Sequence, residues 1–262
     1  GQGSVSLIPL GGTYTAGTQV MLTASPASGY TFSGWGGDAT GTQNPIAITI
    51  EGNKTIVVNF TMSDDFSADS GRWTYAGDAY RDAQKGQVVL AKPGGTTGAL
   101  WLKERVTTDV SLSFRYLIGG GGSFLGDGMV VMFYKEPVYT PAGGGNLGFI
   151  GSDGLAVQGY GIEFDSWRNE WDPPTPHIAL IKDHPKNHLA WAQDGRAMDN
   201  LWHTATVRVQ KGTVEVSVDG SIVLRWAGPL DTAYDGLGFA AAVGSATNWH
   251  IIDDVQITPM KR

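Results

Sequence analysis

Residues 163 to 177 read Glu163-Phe164-Asp165-Ser166-Trp167-Arg168-Asn169-Glu170-Trp171-Asp172-Pro173-Pro174-Thr175-Pro176-His177, and the alternation within this stretch decides how the chain around it folds. In a strand over 160–166, successive side chains point to opposite faces, so Glu163 and Asp165 share one face and Phe164 takes the other. Asn, Asp and Pro dominate after Ser166, and these residues favour turns, so the chain must loop there. The loop can curl Asn169 and Asp172 back toward Asp165 before His177 enters a second strand over 178–181. Three carboxylates held this close repel one another unless cations neutralise them. The stretch therefore reads as a metal cradle. Its oxygen donors suit Ca2+, and the added imidazole suits a transition ion such as Mn2+.

Composition sets the class around this loop. The chain has 262 residues, 38 of them Gly, with only 16% charged residues; strand formers fall in short runs with no sustained helical period. That pattern predicts a turn-rich all-β protein of one large or two unequal domains. The net charge of −7 provides no basic footprint for phosphates, which argues against a nucleic-acid partner or an anionic membrane surface. No apolar run reaches the length of a membrane span, so no membrane insertion is expected. With no cysteine, the fold has neither disulfides nor thiol chemistry.

Two modules are expected, residues 1–62 and 63–262. The first consists of short alternating runs cut by Gly, Pro and Asn, and reads as a small β-rich, β-grasp-like unit. Its phrases Gly29-Tyr30-Thr31-Phe32-Ser33-Gly34-Trp35 and Asn53-Lys54-Thr55-Ile56-Val57-Val58-Asn59-Phe60 resemble the divergent internalin-type B-repeats. Those repeats act as spacers in secreted and surface bacterial proteins. The resemblance implies an extracellular, secreted or cell-surface location and tethering to further domains of a longer protein. Tyr30 and Trp35 could form a sugar-stacking platform, but a unit this small needs them for its core. In the second module, strands are expected at 87–91, 98–103, 107–118, 126–134, 147–150, 158–165, 177–182, 202–210, 213–219, 221–226, 236–242 and 248–258. Asp219-Gly220 marks the clearest hairpin turn.

The order Glu163, Asp165, Trp167, Asn169, then Asp172-Pro173, then His177-Ile178 resembles the metal-binding signature of the legume-type (L-type, concanavalin-like) lectins and their bacterial relatives. The resemblance implies a concanavalin-like antiparallel β-sandwich, or jelly roll. It further implies that Glu163, Asp165, Asp172 and His177 hold a transition ion, and that Asp165, the Trp167 main chain, Asn169 and Asp172 hold Ca2+. Three further segments resemble the same family. Gly126-Asp127-Gly128 looks like the start of the strand whose Asp receives sugar hydroxyls after a cis peptide. Gly143-Gly144-Gly145-Asn146-Leu147-Gly148 looks like the glycine loop whose backbone N–H meets the sugar, although Asn146 stands where an aromatic residue is usual. The loop Ser245 to Asn248, with Ser245 and Ala246 at its start, looks like the one that sets which sugar fits.

A sugar needs a fixed carboxylate, amide donors and an aromatic wall. Asp127, Asn169, the Gly145 N–H and the Trp167 ring supply them, with Gly144 beside Gly145 in the same site and Trp171 a second candidate for the wall. The expected function is calcium-dependent carbohydrate binding by a lectin or carbohydrate-binding module directed to polysaccharide or glycan, with no catalytic residues. Two alternatives remain: a laminarinase-like glycoside hydrolase of the same sandwich class, and a metal-stabilised structural or adhesion module. Against hydrolysis, Arg168 stands where the hydrolase pattern needs an acid, and a guanidinium cannot donate a proton at neutral pH. His184, His188, His203 and His250 match no ligand spacing and read as structural or surface histidines.

Overall fold

Alternating β-branched and aromatic residues, interrupted every few positions by Gly, Pro or Asn, give strands throughout. The structure, a computed structural model, describes residues 2–106, 109–120, 122, 125–137, 140–231 and 234–260. Its contacts divide it into two compact units, residues 2–63 with Gln256–Met260, and Asp64–Val255.

The first unit contains β1 (Gly3–Ile8), β2 (Thr18–Pro26), β3 (Tyr30–Gly37), β4 (Ile46–Ile50) and β5 (Ile56–Asp64). Antiparallel β1, β2 and β4 form one sheet, and β3 pairs with β5. Alternate residues Val20, Leu22 and Ala24 of β2 enter a core with Trp35 and Phe60. Trp35 is 2% exposed, and its indole N–H donates to the Gln43 carbonyl at 2.9 Å. It is a core residue, and Tyr30 packs against the same cluster.

The second unit contains β6 (Trp73–Gly77), β7 (Tyr80–Asp82), β8 (Gln87–Ala91), β9 (Thr97–Leu102), β10 (Val110–Gly119), β11 (Gly128–Tyr134) and β12 (Gly159–Asp165). It continues with β13 (His177–Lys182), β14 (His188–Gln193), β15 (Trp202–Gln210), β16 (Thr213–Val218), β17 (Ser221–Ala227), β18 (Gly236–Ala242) and, up to Val255, β19 (Trp249–Pro259). One sheet runs β14-β13-β12-β11-β18-β9-β6; the other includes β17-β16-β15-β10-β19, with β8 also on β19 and β7 on β8. The pairings within the seven-stranded sheet, along β17-β16-β15-β10 and of β8 with β19 and β7 are antiparallel, and rings from the two sheets meet between them. Phe114 of β10 lies 5.1 Å from Phe239 of β18 and 6.2 Å from Phe164 of β12, both edge-on. Asp219 (φ 50°) and Gly220 (φ 76°) form the expected two-residue hairpin turn between β16 and β17.

The outer face of the seven-stranded sheet carries a second apolar cluster. Val130, Met132, Ile181 and Ala240 are covered there by Leu147, Phe149 and Val157 of the 141–157 loop. A strand expected over 147–150 is instead a 3-10 turn, Gly144–Asn146, followed by turns, with Ile150 bridged singly to Ala156. Leu147 (φ 52°) and Gly148 (φ 73°) adopt left-handed conformations, which no strand accommodates. Strands β6, β7 and β14 were not expected. The expected strand from 107 begins on residues 107–108, outside the described residues, and β10 is described from Val110.

Phe114 is fully buried and touches rings from both sheets. Phe114→Ala should lower stability by about 3–5 kcal/mol. Urea denaturation of the full chain should show it as a fall in midpoint at nearly unchanged slope.

Candidate metal and ligand site

The site starts from strand register. Asp165 of β12 lies directly across from Gly128 of β11 and His177 of β13, and Glu163 lies across from Val130 and Ala179. Residues opposite one another in antiparallel strands share a face, so Glu163, Asp165 and His177 project together from the outer face. Phe164 projects to the other side, against Phe114 and Tyr116. Glu163, Asp165 and His177 are 1%, 2% and 0% exposed, and His177 Nε2 lies 3.1 Å from Glu163 Oε1.

The loop after β12 closes over this face with its own hydrogen bonds. The Trp167 N–H donates to Asp165 Oδ1 at 2.7 Å. Asn169 donates both its backbone N–H and its amide N–H to Asp172 Oδ2, at 2.6 and 2.8 Å. Asn169 and Asp172 thus clasp each other across the two intervening residues, and the Asn169 Oδ1 remains as the amide's acceptor. Burial first, then the charges of Glu163 and Asp172, push the Asp165 carboxyl well above its usual range. The single bond from the Trp167 N–H opposes this only in part.

His188, set aside in the sequence reading, belongs to this cluster. Glu163, His177 and His188 can each offer a ligand atom within 4.8 Å of the others. His188 Nε2 lies 2.8 Å from Glu163 Oε1, yet this buried nitrogen forms no hydrogen bond, and neither does His177 Nδ1. A bulge brings His188 here: Leu180 pairs with Ala190 but Ile181 pairs with His188, so Leu189 is skipped. The extra residue turns His188 to the face that carries Glu163. Buried carboxylates with unrelieved repulsion, beside a His188 nitrogen that faces Glu163 with no hydrogen bond, fit a divalent cation.

A second group of residues converges beside this cluster. The Gly126–Asp127 peptide is cis. Asp127 Oδ2 accepts the Gly244 N–H at 2.5 Å, and the Asp127 carbonyl accepts from the Ser166 hydroxyl at 2.8 Å and the Ser166 N–H at 3.0 Å. Burial raises the Asp127 pKa, and the Gly244 N–H draws it partly back. A Cβ on Gly244 would stand 3.0 Å from Asp127 Oδ2 and 3.7 Å from the Gly144 Cα. A Cβ on Gly145 would overlap the Asn169 amide, 2.6 Å from Oδ1. A Cβ on Gly126 would stand 3.0 Å from the Trp167 Cβ and 3.1 Å from the Ala246 Cβ.

The structure therefore brings Asp127, Gly144, Gly145, Trp167, Asn169 and Ala246 to one place, with Ser245 exposed beside buried Ala246. Trp167 and Trp171 are similarly exposed, at 40% and 38%, but Trp171 lies under the Lys186 ammonium at 4.3 Å, whereas the Trp167 side chain lies against Gly126. Of the two rings, Trp167 is the one that adjoins the Gly126–Asp127 peptide. The remaining histidines lie elsewhere. His203 sits between Asp199 and Asp219, His184 accepts the Lys186 N–H, and burial drives fully enclosed His250 down to about 3.

Comparison with known proteins gives two matches along the chain. Residues 1–64 match the model of the divergent InlB B-repeat domain, and residues 62–219 match that of the legume-like lectin family. No curated protein sequence matches. Among solved structures, the basic winged bean lectin with Tn-antigen aligns at a TM-score of 0.66 and 18% identity, covering 76% of this chain and 98% of the lectin. The Ca2+/Man-bound VIP36 exoplasmic/lumenal domain aligns at 0.64 and 18%, covering 76% and 90%. Lectin II from Ulex europaeus aligns at 0.65 and 16%, covering 76% and 97%. At these identities the likeness shows the fold, a jelly-roll sandwich.

Asp165 gives a test of the electrostatics. Folding raises its pKa above the usual 3.8, so the folded chain holds a proton that the unfolded chain has released. Stability of the metal-free chain should then fall as pH rises from that value through the raised one. In chelator at neutral pH, Asp165→Asn should melt higher than the parent, with about 2–4 °C for each kcal/mol gained. With divalent cations added, the order should reverse. Thermal melts of both proteins in the two buffers decide it, and an unchanged order would remove the cation from the site.

Proposed function

The chain belongs to the legume-like lectin family, whose model spans more than half of it, and from that premise we propose calcium-dependent carbohydrate binding at Asp127, Gly145, Trp167 and Asn169. The observation that carries this reading is the contact between Gly145 and the Asn169 amide. It sets the glycine loop against the metal loop at the point where Asp127 and Trp167 also arrive. A carboxylate, an amide, backbone N–H groups and an indole face then surround one position, which is the set a ring of hydroxyls with apolar C–H faces requires.

Asp165, the Trp167 carbonyl, Asn169 and Asp172 would hold Ca2+, and Glu163, Asp165, Asp172 and His177 a transition ion. Bound cations supply the positive charge that these carboxylates lack. They need not touch the sugar. Their effect is to fix Asn169 and the Trp167 backbone, so that the ligand meets a preorganised surface. Such a shallow site stays wet, so single-site affinity falls between roughly micromolar and millimolar, about 4 to 8 kcal/mol. In this reading residues 1–62 are a spacer that tethers the lectin unit within a longer extracellular or cell-surface protein and raises its effective concentration near polysaccharide.

Hydrolysis is disfavoured because a nucleophilic carboxylate must reach the anomeric carbon. Glu163 is 1% exposed and confined by two imidazoles. No reducing ends should appear on incubation with β-glucans, mannans, xylans or chitin. Release abolished by Glu163→Gln would overturn the choice of binder over enzyme.

A glycan array run with and without chelator tests the main reading, with binding expected only in the presence of Ca2+. Asp127→Ala should remove sugar binding while leaving metal content nearly intact. Gly145→Ala should weaken binding at least tenfold, about 1.4 kcal/mol, because its Cβ displaces Asn169. Binding that survived chelation and both substitutions would place the site elsewhere.

A further inference from the structure

Glu163 Oε1 has two imidazole nitrogens beside it, His177 Nε2 at 3.1 Å and His188 Nε2 at 2.8 Å. The rings lie edge to face with centroids 5.8 Å apart, so their Nε2 edges converge while their planes do not stack. Ligand atoms about 2.1 Å from a shared tetrahedral ion stand about 3.4 Å apart, so both separations fall short of that spacing by about 0.3 and 0.6 Å, and a small outward shift of the imidazoles would seat the ion. His188 is only 10% exposed in its side chain, and its Nε2 makes no hydrogen bond despite its closeness to a carboxylate oxygen. The skipped Leu189 is what aims His188 at this point. A buried, unsatisfied nitrogen so placed has its lone pair or its proton directed into the cluster.

We propose that His188 is a ligand of the transition-ion position, and that this second imidazole turns the position toward Zn2+ and away from Mn2+. The inference rests on the reading of the 163–177 loop as a metal site. With His188 absent, the donors are three carboxylates and one imidazole, a set weighted toward hard ions. With it, two nitrogens join Glu163, a combination suited to Zn2+ and its neighbours. The rival role for His188 is a buried ion pair with Glu163, in which it holds the carboxylate and touches no metal.

Most nitrogen and oxygen sites favour Zn2+ over Mn2+, so the decisive quantity is the change in that preference when His188 is removed. The full chain, stripped with chelator, is titrated by equilibrium dialysis with Zn2+ alone, Mn2+ alone and both together, without sugar. The parent should hold one equivalent of Zn2+ at this position. His188→Ala should weaken Zn2+ tenfold or more and Mn2+ much less, lowering the Zn2+/Mn2+ ratio by about tenfold. His188→Asn, which keeps a polar group of similar reach, should behave in the same way if the alanine variant fails to fold. In the Co2+-loaded parent, the visible absorption bands should shift on His188→Asn. A ratio unchanged in the folded variant, or Co2+ bands that ignore it, would overturn the proposal and leave His188 as an ion-pair partner. Because sugar is absent, one-equivalent Zn2+ binding that depends on His188 would stand even if the glycan array showed no binding, and the reverse result would spare the sugar reading.

Discussion

Asp165 is buried beside Glu163 and Asp172, and the protein supplies it with little to offset their charge. Two like charges 4 Å apart repel by about 4 kcal/mol at the effective dielectric of a protein surface, and burial adds to that cost. Against it stands one N–H from Trp167. Such a cluster persists only with protons or cations taken up. The conformation of the loop over 166–176 is tied to that uptake, because Trp167 hangs from Asp165, and Asn169 is clasped to Asp172. The residues proposed to meet a sugar are therefore anchored by the carboxylates that need the ion.

The fold delivers these groups by ordinary packing. Phe164 sits between Glu163 and Asp165 in sequence but points into the space between the sheets, where Phe114 and Tyr116 fix it. Burying that ring commits its two acidic neighbours to the outer face. The glycine loop is held in a similar way. Leu147, Phe149 and Val157 are buried over Val130, Met132 and Ile181, so apolar burial brings Gly145 against Asn169. A Cβ at Gly145 has no room there, which is a reason for glycine that concerns approach and not flexibility.

Much of this was legible in the sequence because it follows from local rules. The alternation of Glu163, Phe164 and Asp165, the turn residues after Ser166, the Asp219-Gly220 hairpin and the all-β class each depend on a few adjacent residues. His188 was not legible. Its spacing from His177 says nothing about its face until the bulge at Leu189 is known, and a single skipped residue exchanges the faces of a strand. Strand β14 alternates half-buried and exposed residues, a weak signal beside the continuous apolar runs of β11 and β13. The error over 147–150 has a comparable origin. Leu, Gly, Phe and Ile in succession read as a strand, but tertiary packing of Leu147 and Phe149 takes them into turns with left-handed backbone.

The two proposed functions of the site divide between groups of different accessibility. Asp165, Glu163 and His177 are sealed from solvent, so they can hold ions but meet no sugar. Asp127 is nearly buried, and one of its oxygens is already committed to the Gly244 N–H, which leaves Oδ1 as its oxygen for a ligand hydroxyl. A fixed carboxylate oxygen and a fixed amide recognise a pair of hydroxyls on many sugars alike. In the proposed reading, discrimination among sugars would fall to the exposed groups beside them, the Trp167 ring and Ser245, which would meet the parts of a sugar that differ in shape. Substitutions at those two positions can change preference without disturbing the metal cluster, because neither side chain contributes a proposed ligand atom: Trp167 would bind Ca2+ through its backbone alone.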